Sequence, residues 1–252
     1  MNLKNKILSI NSLLILISVS IIGTVLHELA HYITAISFGL HPELHRNYVK
    51  INPNNGTETQ NMFIAAAGPI FSLIFGIIIV YISKEIFKPS LLKLFLLWLG
   101  LYSILLFLGY LFIAPISKLG DTGKVFDYFN VPNFIIITIA IVALILITKL
   151  FVTISTEFRY YKNEGEFNVN ENSNQLFLTP IIGSIIIVTV INLPVVIWLS
   201  SLPTVFMPMA FFRIMRSYKK LNLDDAIFEV KKISLLLVIA TTFLIIGFHY
   251  LI

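Results

Sequence analysis

The sequence predicts an all-α, polytopic transmembrane helix bundle of six or seven spans, with a small β-hairpin after the first span. Three observations carry that expectation. The chain is 57 % hydrophobic and only 12 % charged, with a mean hydropathy of +0.89, far outside the soluble range. Apolar stretches of about 20 residues, enough to cross a hydrocarbon core as helix, recur along it. Polar, often basic segments separate them. The sequence contains no cysteine, which excludes disulfides and thiolate-bound metal. Its net charge of +5 falls between the apolar runs, where it sets membrane topology rather than building a nucleic-acid surface. A multi-pass protein of the cell membrane is expected, with the lipid bilayer as its surroundings.

Taken in order, residues 7–38 read as one long helix, too short for two passes and a turn. No cleavage-like small-residue site precedes this run, so a retained span is expected rather than a signal peptide. Gly39, His41 and Pro42 stop it. The polar stretch from His45 to Asn61 contains Tyr48-Val49-Lys50-Ile51 and then Asn54-Asn55-Gly56, and Asn-Gly is a hairpin-turn signal. Residues 62–82 form the second span, opening on Ala65-Ala66-Ala67-Gly68-Pro69, small residues that allow close helix approach. The third span covers residues 91–113 and the fourth residues 133–155. Residues 157–175 are polar and read as an exposed loop. Pro194, Pro203 and Pro208 interrupt the apolar run 176–215, which is either a span plus a re-entrant piece or two tight spans. A basic segment runs from Arg213 to Lys232, and a last span covers residues 233–252, with His249 as an interfacial side chain.

The chemistry concentrates in Val25-Leu26-His27-Glu28-Leu29-Ala30-His31, an H-E-x-x-H motif. Residues four apart share one face of a helix, so His27 and His31 can direct two imidazoles at one metal ion. Glu28 sits one position round, placed to act as a base toward a water. Two nitrogen ligands, a carboxylate base and an open position are what zinc-assisted hydrolysis requires. The alternative is a hydrogen-bonded cluster between packed helices. Its surroundings weigh against that, because residues 7–38 are otherwise uncharged and ionisable groups at membrane depth are costly. With cysteine absent, further ligands must be His, Asp or Glu. Asp121 sits in the broken stretch Ala114–Lys124, and non-helical backbone near a membrane is tolerated where it lines a cavity. It is a candidate third ligand, the alternative being an N-cap aspartate. His41 and His45 are also four apart, but Pro42 between them disfavours a helix, so they read as loop histidines.

Three pieces in this order resemble the site-2 protease family of intramembrane zinc metalloproteases. His27-Glu28-Leu29-Ala30-His31 is similar to its H-E-x-x-H, Ala67-Gly68-Pro69 to its A-G-P signature, and Asp121-Thr122-Gly123 after Pro115 to its D-G element. The resemblance implies Zn²⁺ held by His27, His31 and Asp121, with Glu28 as the catalytic base. It also implies cleavage of membrane-spanning or membrane-associated polypeptides. Three positions depart from the family pattern. Thr122 separates Asp121 from Gly123, Ser72 replaces an Asn after the A-G-P, and Phe112 stands where an Asn precedes Pro115 by three.

Residues 7–130 are thus expected to form a site-2-protease-like core and residues 131–252 additional transmembrane helices. The competing class is a non-enzymatic metal-binding membrane protein, a transporter or a pseudoprotease. Two arguments conflict over orientation. Seven spans with the N-terminus inside leave most of the 18 Lys and Arg on the cytoplasmic side. Six spans with the N-terminus outside, as the family resemblance implies, leave little more than half there. The six-span arrangement, with a re-entrant piece near Pro203 and Pro208, is the expectation adopted.

Overall fold

A chain this apolar can satisfy its backbone in a bilayer only by closing hydrogen bonds within helices. The computed structural model has that architecture, a bundle of long helices with two minimal sheets. It describes residues 6–52, 56–163, 168–193, 212–221 and 227–250. Helix α1 (Ile7–Ser37) ends at Phe38, followed by Gly39 at φ 73°. The antiparallel hairpin is β1 (Glu43–His45) and β2 (Tyr48–Lys50). Helix α2 (Glu58–Glu85) starts from a capping box between Thr57 and Gln60, and Ser90 caps α3 (Leu91–Ile113). A broken segment leads to the short α4 (Asp121–Tyr128), and α5 (Asn133–Ile154) crosses back. Beyond it lie a 3₁₀ turn (Ser155–Tyr160), β3 (Tyr161–Asn163), α6 (Val169–Ser173), a π turn (Asn174–Leu178) and α7 (Thr179–Ile191). Strand β4 (Phe228–Val230) pairs in parallel with β3, and α8 (Leu235–Tyr250) closes the bundle.

Five described helices are long and apolar enough to cross a membrane, and α8 is a shorter apolar helix. The outer face of α5 exposes Ile137, Ile141, Leu144 and Ile145, side chains that lipid can cover. Helix α1 is the axis of the bundle and packs on α2, α3, α7 and α8. Its polar residues tie it to α8. Asn11 donates to the Ile7 and Lys232 carbonyls and accepts from the Ser234 N–H, and Ser18 and Thr241 hydrogen-bond at 2.8 Å. Phe248 then packs on Ile17 and Ile21, so α8 runs parallel to α1. Lys6 therefore lies at the end of the bundle where α8 begins, and Tyr250 lies toward the other. Pro194, Pro203 and Pro208, on which the re-entrant reading rested, lie outside the described residues.

Two sequence expectations shift. The described hairpin turns at Arg46-Asn47, where His45 pairs with Tyr48, their rings stack at 4.3 Å, and Glu43 pairs with Lys50 at 2.9 Å. Asn54 and Asn55 of the expected turn lie outside the described residues, and Gly56 directly precedes the α2 cap. Residues 157–175 are not simply an exposed loop. Phe158 and Tyr161 are fully buried, and Asn172 bonds the Tyr161 carbonyl and the Tyr218 hydroxyl. Asparagine reads as polar in sequence, but here its amide partners sit inside the protein.

At this end of the bundle Trp98, Phe158, Phe177 and Tyr218 form a chain of ring contacts. The buried Lys93 pairs with Glu157 at 3.0 Å beside it. Removing one member of a buried pair strands the other charge. Glu157→Gln is therefore expected to cost ~3 kcal/mol, and Lys93→Met with Glu157→Gln distinctly less. Thermal unfolding of the three proteins in detergent measures this, and equal losses in single and double variants would contradict it.

Candidate metal centre

The helical repeat puts His27 and His31 one turn apart on the face of α1 that meets α2. Both are buried, at 2 % and 5 % exposure. The 20 residues between Ile7 and His27 carry the motif about 30 Å along the helix, to the hairpin end of the bundle. Asp121 arrives from α4. It is the first residue of that helix, and Gly120 rather than Asp121 occupies the cap position. The aspartate is thus free to point at the histidines.

The three side chains converge. Asp121 Oδ2 lies 3.1 Å from His27 Nε2 and 3.2 Å from His31 Nε2, and the two Nε2 atoms are 3.1 Å apart. A tetrahedral ion with bonds of ~2.0–2.1 Å has ligand–ligand edges of about 3.3 Å, so this triangle has the size of one face of such a centre. The outer nitrogens are engaged elsewhere. His31 Nδ1 donates to the Ile64 carbonyl at 2.6 Å, and His27 Nδ1 meets Ser72 Oγ at 3.0 Å. In neutral His31 that bond leaves the Nε2 lone pair facing the triangle, the usual arrangement of a metal-ligating histidine. Burial by itself would raise the Asp121 carboxyl, but the adjacent His31 and His27 imidazoles outweigh it and hold the group below the ordinary carboxylate range. A buried group of two imidazoles and one carboxylate can hold a metal ion.

Helix α2 gives the A-G-P stretch a physical role. A Cβ on Gly68 would collide with His31 Nε2 and stand 2.8 Å from His27 Nε2, so only glycine leaves the ligand atoms free. Pro69, inside the helix, has no N–H for the Ala65 carbonyl one turn earlier. The helical ladder is weakened beside Ile64, whose carbonyl serves His31. Thr122, a departure from the family pattern, donates to the Tyr110 carbonyl at 2.8 Å and fastens the start of α4 to α3. Gly123 packs against the Ser117 carbonyl, and a side chain there would push the broken segment off α4.

Glu28 does not join the triangle. It lines a cavity of about 480 Å³ together with His31, Asp121, Tyr110, Lys124 and the β2 residues Tyr48 and Val49. His41 and His45 stay away from the centre, His45 stacked on Tyr48 and 3.5 Å from Glu43. Sequence reasoning did not single out Tyr110, whose ring stacks on His27 at 5.3 Å, nor the support that Ser72 and Ile64 give the imidazoles. The only sequence signal for Ser72 was its place after Ala67-Gly68-Pro69, where the family carries another hydrogen-bonding residue. No family model, curated protein or solved structure matches the chain.

Two substitutions test this construction through metal content alone. Gly68→Ala places a methyl group on the ligand nitrogens and is expected to abolish stoichiometric metal in the purified, folded protein. Ser72→Ala keeps the ligands but frees the His27 ring, and should weaken metal affinity about 10–100-fold. Metal per chain by elemental analysis, with competing chelator for Ser72→Ala, reads both. Full metal in Gly68→Ala would show that the triangle is not the binding site.

Proposed function

We propose that this protein is an intramembrane zinc metalloprotease that hydrolyses peptide bonds of membrane-spanning or membrane-associated polypeptides. One observation carries the reading. Glu28, the only carboxylate other than Asp121 among the described cavity-lining residues, shares one cavity with His31 and Asp121 of the metal triangle and with a β-strand edge. The donor set of two imidazoles and a carboxylate suits zinc and leaves a position open for a reacting molecule. Zinc held there supplies a Lewis acid that polarises the scissile carbonyl and makes a water more acidic.

The remaining work falls to side chains. Glu28 takes the proton of the attacking water and delivers it to the leaving amine. Tyr110 and Lys124 line the same cavity and are the groups placed to donate to the negative charge that develops on the carbonyl oxygen. Ser72 and the Ile64 carbonyl hold the imidazoles in orientation. A helical substrate shields its own carbonyls by hydrogen bonding, so it must be held extended to be cut. In a hairpin with a two-residue turn, His45–Tyr48 is a hydrogen-bonded pair, and the main-chain groups of Val49 face away from β1. Val49 lines the cavity, so that edge can pair with an unwound segment by strand addition.

The decisive experiment separates metal from chemistry. Glu28→Gln keeps shape and metal but cannot accept a proton, and cleavage of a membrane-embedded substrate should fall by roughly two to four orders of magnitude. His27→Ala, His31→Ala and Asp121→Ala should lose metal and activity together. Undiminished cleavage in Glu28→Gln would remove the protease reading. Bound metal without any Glu28-dependent cleavage would favour a metal-binding transporter or pseudoprotease.

The hairpin edge is tested separately. Val49→Pro removes one outward N–H and leaves the β1–β2 pairing intact. Cleavage is expected to drop about tenfold, the worth of one main-chain hydrogen bond, with metal content unchanged. Unaltered turnover would exclude strand addition at this edge.

A further inference from the structure

The contacts sort every described loop to one end of the bundle or the other. Arg46, in the hairpin turn, donates to the Ile191 carbonyl, so the C-terminal end of α7 lies at the cavity end. Gly183, nearer the start of α7, faces Leu13 in the first part of α1. Asn172 and Phe177 contact Tyr218, and β3 pairs with β4, which places residues 212–221 and 228–230 at the N-terminal end of α1. Ser234 bonded to Asn11 lies there too.

The charges follow this division. Of the 18 Lys and Arg, the described ones at the cavity end are Arg46, Lys50, Lys118 and Lys124. All other described lysines and arginines, from Lys6 and the Lys84–Lys88 turn to Arg213–Lys220 and Lys231-Lys232, occupy the opposite end. The loops concerned are short and adjoin the helix ends, the range over which Lys and Arg fix orientation. A surface this basic matches the anionic headgroups of a cytoplasmic leaflet.

We propose that the basic end lies against the cytoplasmic leaflet, and that the cavity lined by Glu28, His31 and Asp121 opens on the non-cytoplasmic face. The orientation stands on charge and topology alone. Its corollary, that the cavity takes polypeptide segments presented from the non-cytoplasmic side, rests on the proteolytic reading. This reverses the orientation that the family resemblance implies. The reason is physical: turning the bundle over would require translocating the basic loops and leaving only four described cations inside.

The absence of cysteine in the natural chain makes the test direct. Single variants His41→Cys and Asp127→Cys mark the cavity end, and Lys88→Cys and Lys220→Cys the basic end. All four positions are exposed. Intact cells producing the full chain are treated with a membrane-impermeant maleimide, and labelling is normalised to detergent-solubilised protein. His41→Cys and Asp127→Cys should label in intact cells, and Lys88→Cys and Lys220→Cys only after permeabilisation. The reverse pattern overturns the proposal, and so does equal labelling of both pairs. A protein that fails to cleave any substrate would leave the labelling pattern unchanged, so the two readings fail separately.

Discussion

Three electron-rich atoms held within 3.2 Å of one another in an apolar bundle are the constraint on which the rest of the structure depends. Left alone, two imidazole nitrogens and a carboxylate oxygen at that spacing repel unless a proton or a metal cation lies between them. The surrounding chain is arranged to hold them there. Helix α1 supplies the pair by its own periodicity. Helix α2 contributes the Ile64 carbonyl and Ser72 hydroxyl on the outer nitrogens, and the bare Cα of Gly68 above the inner ones. Helix α3 stacks Tyr110 on His27 and anchors Thr122, so that α4 presents Asp121. Four helices converge on a few cubic ångströms, and none of them can shift without opening the triangle.

Parts of this were legible in the sequence for identifiable reasons. His27, Glu28 and His31 depend only on helical spacing, which survives any tertiary arrangement. Residues 91–113 and 133–155 were readable as spans because the bilayer fixes their length and Ser90 and Pro132 mark their starts. Asp121 was less secure, since its meaning depends on packing between residues 90 and 94 positions apart. Ser72 and Tyr110 carry no local signal, because what they do is set by which face of α2 and α3 meets α1. A hairpin follows the first span as expected, but the described one, Glu43–Lys50, starts earlier than the stretch from His45 to Asn61 and is fixed by the cross-strand pairs Glu43–Lys50 and His45–Tyr48. Most of the expected Asn54-Asn55-Gly56 turn lies outside the described residues.

The reading of residues 157–175 as a loop failed for a related reason. Asn, Glu and Ser are polar by composition, but inside a membrane protein a polar side chain with a partner is a packing element. Asn172 bridges Tyr161 and Tyr218, and burial pushes the Tyr218 phenol up to about 12, so it stays a neutral hydrogen-bonding group throughout the physiological range. Composition cannot distinguish such a residue from a solvated one. Only the β3–β4 pairing, between segments more than 60 residues apart in sequence, makes the difference.

Stability and chemistry are placed at opposite ends of the same helices. The large aromatic cluster around Trp98, Phe158 and Phe177 and the buried Lys93–Glu157 pair sit at the basic end. Around the cavity the buried apolar cluster shrinks to Ala35, Leu40 and Ile64. That end is held instead by directional contacts: the Thr57–Gln60 capping box, Thr59 to Tyr128, Thr122 to Tyr110, and Arg46 to the end of α7. Directional bonds of this kind are individually weak and can open without disturbing a packed core. The proposed cleavage of an extended polypeptide calls for that property. The bundle can therefore keep its helices packed at the basic end, and α4 fastened to α3 through Thr122, while the hairpin gives way at the other.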